Sequence, residues 1–276
     1  MEYLEFKAEI TPLEVGRDIL IAELAEIGFE SFVETEIGVE AYIQKDDFKE
    51  DLISTMGIIS NTDFTITYVT KLIADQNWNA EWEKNFDLIN VENKCIIRAP
   101  FHNKIDSVEF DVVIDPKMSF GTGHHETTYL MIKRLLTLDL THKKVLDMGC
   151  GTGVLAILAK MKNADRVEAI DIDEWAYNNT IENIRNNNCE DIIVKMGGAE
   201  RIDDEFNVII ANINRNILLK NMAVYVKALQ KNGILLLSGF FSSDKEVLLE
   251  ATSQLNLELI YTESKNDWTI LHLIKK

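Results

Sequence analysis

The stretch Asp147-Met148-Gly149-Cys150-Gly151-Thr152-Gly153 decides the fold. It follows the short apolar run Val145-Leu146 and leads into Val154-Leu155-Ala156-Ile157-Leu158-Ala159. Strand, glycine turn and helix are expected in that order. Glycines let the backbone turn sharply and come close to a ligand, where any Cβ would obstruct. The spacing G-x-G-x-G differs from the G-x-G-x-x-G of dinucleotide sites, and no Gly-Lys-Ser/Thr follows to make a phosphate loop. Asp171 closes the next expected strand, 22 positions after Gly149. A carboxylate there can accept both hydrogen bonds of a ribose diol.

Outward from this loop the chain alternates strand and helix. Strands are expected at 145–148, 167–171, 192–196, 208–213, 234–239, 257–261 and 269–274, with helices between the first six. That alternation implies an α/β, Rossmann-like domain: a mostly parallel sheet with helices on both faces and a final hairpin. Its ligand should sit beyond the carboxyl ends of the strands. Asn212-Ile213-Asn214-Arg215 ends the fourth of them. The Asn212 carbonyl could accept a hydrogen bond from a substrate N–H, and Asn214 equally suits the N-cap of the next helix. Trp268, near the last strand, has only a packing reading.

The first 72 residues read as strand, helix, strand, strand, helix, strand. This is the order of a small ferredoxin-like α+β domain. Thr11-Pro12-Leu13-Glu14 has the form of a capping box, and Gly28 should stop the helix it opens. One helix is expected over 47–56. Trp78, Trp82 and Phe86 recur every four positions, which suggests a linker helix over 73–90 before a domain spanning 91–276.

Composition bounds the function. Residues 1–72 hold 16 acidic and 5 basic side chains, a net −11 of the chain's −18. Phosphate recognition needs a basic face, so direct nucleic-acid binding is not expected. The acidic segment suits either solubility or a basic protein partner. Three scattered cysteines suggest reduced thiols and a cytoplasmic protein. No apolar run is long enough to span a bilayer, and no signal peptide is evident. His124-His125-Glu126 lacks the spacing of a metal site.

A second motif runs upstream of the glycine loop, from Asp115 to Thr128. It resembles the D-P-G-x-A-F-G-T-G-x-H-x-T-T segment of the ribosomal protein L11 methyltransferases, a family of seven-strand S-adenosylmethionine-dependent methyltransferases. Asp115, Pro116, Phe120, Gly121, Thr122, Gly123, His125, Thr127 and Thr128 stand unchanged, while Lys117, Ser119 and Glu126 depart from the pattern. The resemblance extends over most of the chain. It implies S-adenosylmethionine as cofactor and methylation of lysine side chains and the α-amine of ribosomal protein L11. By the same resemblance Thr128, Gly149, Asp171 and Asn212 match cofactor-contacting positions. Phe120, Gly121, Asp147 and Gly151 are expected at the same site. Asn212 is the expected catalytic residue, in the place where many amine methyltransferases carry Asn-Pro-Pro-Tyr. The alternatives are a methyltransferase with another acceptor, a nicotinamide-dependent oxidoreductase and a non-catalytic binding module.

Overall fold

The computed structural model describes residues 2–73, 86–117, 121 and 125–276. The chain divides into two compact units, residues 1–85 and 86–276.

In the first unit strands β1 (Tyr3–Thr11), β2 (Ser31–Glu34), β3 (Gly38–Gln44) and β4 (Thr65–Ile73) form an antiparallel sheet of order β2-β3-β1-β4. With helices α1 (Leu13–Glu26), α2 (Glu50–Thr55) and α3 (Gly57–Ser60) this is the ferredoxin-like order. Phe6, Ala8 and Ile10 alternate along β1 and pack with Leu20 and Leu24 of α1. The opposite face carries Glu5, Lys7 and Glu9, with Glu40 and Tyr42 of β3 beside them. There Lys7 pairs with Glu40 at 2.6 Å, and the Tyr42 hydroxyl donates to Glu5 at 3.2 Å.

Three local expectations need correction. Thr11 is held in the β1–β4 ladder opposite Thr65, so Pro12 becomes the N-cap of α1 and no side chain caps it. The helix expected over 47–56 is two short ones, broken where Met56 turns extended and is buried. Glu23 of α1 accepts the Ile58 N–H at 3.1 Å just after that break. Gly28 does stop α1: it has φ +104°, and the Phe29 N–H reaches back to the Leu24 carbonyl at 3.0 Å. The third correction concerns the linker. Trp78 and Trp82 lie outside the described residues, but Ile89 and Asn90 already belong to strand β5 (Ile89–Val91).

The second unit joins β5, β6 (Cys95–Arg98) and β7 (Phe110–Val113) in a three-stranded sheet. After α4 (Glu126–Leu136) come β8 (Lys144–Met148), α5 (Val154–Met161), β9 (Arg166–Asp171), α6 (Glu174–Asn186) and β10 (Ile193–Met196). Then follow β11 (Phe206–Asn212), α7 (Arg215–Ala228), β12 (Leu229–Phe241), α8 (Lys245–Ser253), β13 (Leu257–Lys265) and β14 (Trp268–Lys275). The seven strands β8–β14 have the order β10-β9-β8-β11-β12-β14-β13, parallel except that β14 runs antiparallel to both neighbours. Successive side chains feed opposite faces. Val145, Val208 and Ile210 join the core under α4 and α5, while Leu146, Ile209 and Ala211 join the core under α7 and α8.

Candidate functional site

Strand register brings the carboxyl ends of the central strands into line. Met148 pairs with Ile170 and Ala211, Asp171 with Met196, and Asn212 with Ser238. A cleft of about 840 Å³ opens beyond these ends. Gly149, Gly151 and Asp171 line it, as do Asn212, Gly239 and Trp268.

The glycine loop is built for close approach. Gly149 has φ +71°, and a Cβ there would lie 2.2 Å from Cγ2 of Ile213. Polar contacts pin the loop from behind. The Gly149 N–H donates to the Ile170 carbonyl at 2.8 Å, and the Gly151 N–H donates to Oδ2 of Asp171 at 2.8 Å. The Thr180 hydroxyl holds the Gly151 carbonyl and the Asn183 amide holds that of Thr152. Thr152 in turn donates to the Gly121 carbonyl at 2.7 Å, so Gly121 supports the loop from outside the cleft wall. Phe120 lies outside the described residues.

Asp171 is buried but for 8% of its surface. Its Oδ1 accepts the Asp173 N–H at 3.0 Å and its Oδ2 that of Gly151. An ionised carboxylate offers about four lone-pair directions, so two remain for a ligand.

Asp147, expected at the same site, is not on the cleft wall. Alternation along β8 sends its side chain to the face that Val145 shares, where α5 begins. There it is buried, with Oδ2 accepting the Ala156 N–H at 3.1 Å. Burial raises its pKa from 3.8 to about 7, and the charge of Asp171 adds to the rise while the Ala156 N–H opposes it. The folded protein therefore keeps a proton that the unfolded chain releases near pH 4. The stability that this proton confers is complete below that pH and is lost as pH rises toward 7. The loss is at most roughly 4 kcal/mol, at about 1.4 kcal/mol for each pH unit between the two states. Asp147→Asn, which stays neutral, should accordingly raise the melting temperature by several degrees at pH 8 and by little at pH 4. Equal shifts at both pH values in calorimetry would mean that folding leaves the Asp147 pKa unchanged.

Asn212 stands at the end of β11, and among the described residues its side chain makes one hydrogen bond: its Nδ2 donates to Oγ1 of Thr128 at 3.4 Å. Its Oδ1 is buried and has no partner among the described residues. Thr128 is fully buried in the first turn of α4, behind the cleft wall. Asn214 lines the cleft and also caps α7, its side chain accepting the Ile217 N–H at 3.1 Å.

Several wall residues escape a reading by strand ends. Trp268 is one, with its ring 4.5 Å from His125 and 4.2 Å from Phe241. Because β14 is antiparallel, its first residue, not its last, reaches the carboxyl edge of the sheet, opposite Phe241. His125 caps α4 by accepting the Thr127 N–H at 3.3 Å, which brings both residues to the wall. Beyond Asp171 the wall continues through Ile172 and Trp175, which are 79% and 71% exposed. Glu200 completes this side, its Oε1 accepting the Gly198 N–H at 2.7 Å.

A family model described as "Ribosomal protein L11 methyltransferase (PrmA)" matches residues 11–276. A ribosomal protein L11 methyltransferase of Porphyromonas gingivalis is 46% identical, across 98% of this chain and 97% of that protein. One from Bacteroides fragilis is 43% identical, across 99% of this chain and all of its own length. Among solved structures, ribosomal protein L11 methylase from Lactobacillus delbrueckii subsp. bulgaricus has a similar fold, with a TM-score of 0.65 at 24% identity. The match covers 69% of this chain and all of that one.

Proposed function

The chain belongs to the ribosomal protein L11 methyltransferase family, and from that membership we propose that it transfers methyl groups from S-adenosylmethionine to ribosomal protein L11. The acceptors are lysine side chains and the α-amine. The observation that carries this reading is the convergence of Gly149, Asp171 and Asn212 in one cleft.

The residues present suit the cofactor. Gly149 and Gly151 admit it close to the backbone, and Asp171 has acceptor capacity left for a ribose diol. When bound, S-adenosylmethionine supplies an electrophilic sulfonium methyl. The remaining work belongs to the chain's own residues. Asn212, on the cleft wall at the end of β11, orients the attacking amine so that its nitrogen lone pair meets the methyl. Trp268, two strands beyond Asn212 in the sheet, walls the acceptor side opposite Asp171. Holding two reactants aligned is itself a large part of catalysis.

The acidic first unit provides the docking surface for a basic ribosomal protein. Among the described residues no helix is long and apolar enough to cross a membrane, and the reading places the reaction in the cytoplasm.

Calorimetry with S-adenosylmethionine and with a nicotinamide cofactor tests the cofactor assignment: the first should bind and the second should not. Asp171→Ala removes an acceptor for the ribose and releases the Gly151 N–H. Hydrogen bonds to a charged group are worth roughly 1.5–3 kcal/mol each, so affinity should fall about tenfold or more. Unchanged affinity would remove Asp171 from the site.

A further inference from the structure

We propose that Asn183 is a positioning residue for cofactor binding, tying the back of the glycine loop to the strand that leads into the Asp115–Thr128 motif. The proposal rests on the cofactor reading above and concerns a residue that lies off the cleft wall. Asn179, Asn183 and Asn187 recur every four positions along α6 and its C-cap, so they share one face of the helix. All three are buried, Asn183 completely. Buried amides need partners, and these find theirs in the main chain.

Strand β7 is the outer strand of the three-stranded sheet. The Phe110 and Ile114 N–H groups turn toward β6, donating to the carbonyls of Lys94 and Arg98. Val113 and Asp115 therefore turn the other way, toward α6. The Val113 N–H donates to Asn187 Oδ1 at 2.8 Å, and Asn187 Nδ2 donates back to the Val113 carbonyl at 2.6 Å. Two residues on, the Asp115 N–H donates to Asn183 Oδ1 at 2.8 Å. The asparagine column answers β7 as a neighbouring strand would.

Asn183 does more than Asn187. Its Nδ2 also donates to the Thr152 carbonyl of the glycine loop, at 2.9 Å. An N–H can only donate and a carbonyl can only accept, so these two backbone partners allow the Asn183 amide one orientation. A single buried side chain thus fastens the glycine loop to the end of β7. Thr152 is held from its other end as well, by its own bond to the Gly121 carbonyl. The loop keeps its shape before the cofactor arrives, and binding avoids the cost of ordering it.

The column supplies a matched control. Asn183→Ala strands the Asp115 N–H and the Thr152 carbonyl, while Asn187→Ala strands the N–H and carbonyl of Val113. Each variant leaves one buried donor and one buried acceptor, so their losses of stability should be similar. Only the first releases the glycine loop.

The test is calorimetric titration of the wild type and both variants with S-adenosylmethionine. Melting temperatures without ligand and single-turnover methylation of ribosomal protein L11 at saturating cofactor accompany it. Asn183→Ala should weaken cofactor binding about tenfold or more, and Asn187→Ala by less than about threefold, although the two melt alike. At saturating cofactor the Asn183→Ala transfer rate should stay within about threefold of the wild type, because the loss lies in binding. Equal weakening in both variants overturns the proposal and makes the column a general brace of the fold. Intact affinity with a slowed transfer overturns it as well. Should Asn183→Ala fail to fold, Asn183→Ser and Asn187→Ser give the same comparison. A wild type that does not bind S-adenosylmethionine overturns the cofactor reading itself. A wild type that binds it no more tightly than Asn183→Ala overturns the Asn183 assignment alone.

Discussion

Asn212→Ala is expected to lower single-turnover methylation roughly a hundredfold at saturating cofactor, the scale seen when one preorganised polar group is removed from a reacting centre. Cofactor affinity should change far less. Stability supplies a control, because among the described residues Asn212 Oδ1 is buried without a partner and its side chain makes one long hydrogen bond. Removing an unsatisfied polar atom costs the fold little, so the melting temperature should hold or rise slightly. A rate that holds while cofactor affinity falls would make Asn212 a cofactor ligand and nothing more. A large drop in melting temperature would make it a structural residue.

The second large effect is expected from a chain beginning at residue 86. Among the described residues, the buried side chains of both hydrophobic cores of the second unit lie beyond that point, from Val91 to Leu273. The shortened chain should therefore fold and bind S-adenosylmethionine. It should nevertheless methylate ribosomal protein L11 at least about a hundredfold more slowly, a loss equivalent to roughly 2.7 kcal/mol of recognition. The motivation is the net −11 within residues 1–72, part of it displayed by Glu5, Glu9 and Glu40 on one sheet face. Association of the full chain with its substrate should also slow as salt rises, since exposed charges are screened over about 8–10 Å. Full-rate methylation by the shortened chain would reduce the acidic surface to a solubility feature.

Much of this architecture was legible because glycine turns and strand periodicity are local. Lys144–Met148, Arg166–Asp171 and Phe206–Asn212 fall within a residue or two of the positions expected from apolar runs. Gly149, Asp171 and Asn212 meet because parallel strands present equivalent ends to one edge. What stayed hidden depends on direction and face. Trp268 reaches the cleft from the start of an antiparallel strand, so reading carboxyl ends passes over it. Asp147 sits in the glycine motif yet turns away from the cleft, because alternation along β8 carries it under α5. Thr128 belongs to a recognisable motif, but its partner Asn212 is 84 residues away and only the fold pairs them. The capping box at Thr11 failed for a similar reason, as pairing with Thr65 keeps that residue in the sheet.

The most direct measurement of the central claim is transfer of isotopically labelled methyl from S-adenosylmethionine to purified ribosomal protein L11, with the label mapped by mass spectrometry. The account predicts label on lysine ε-amines and on the α-amine of that protein, and its near loss with Asn212→Ala. Cofactor binding without label on ribosomal protein L11, or label that persists undiminished in Asn212→Ala, would contradict it.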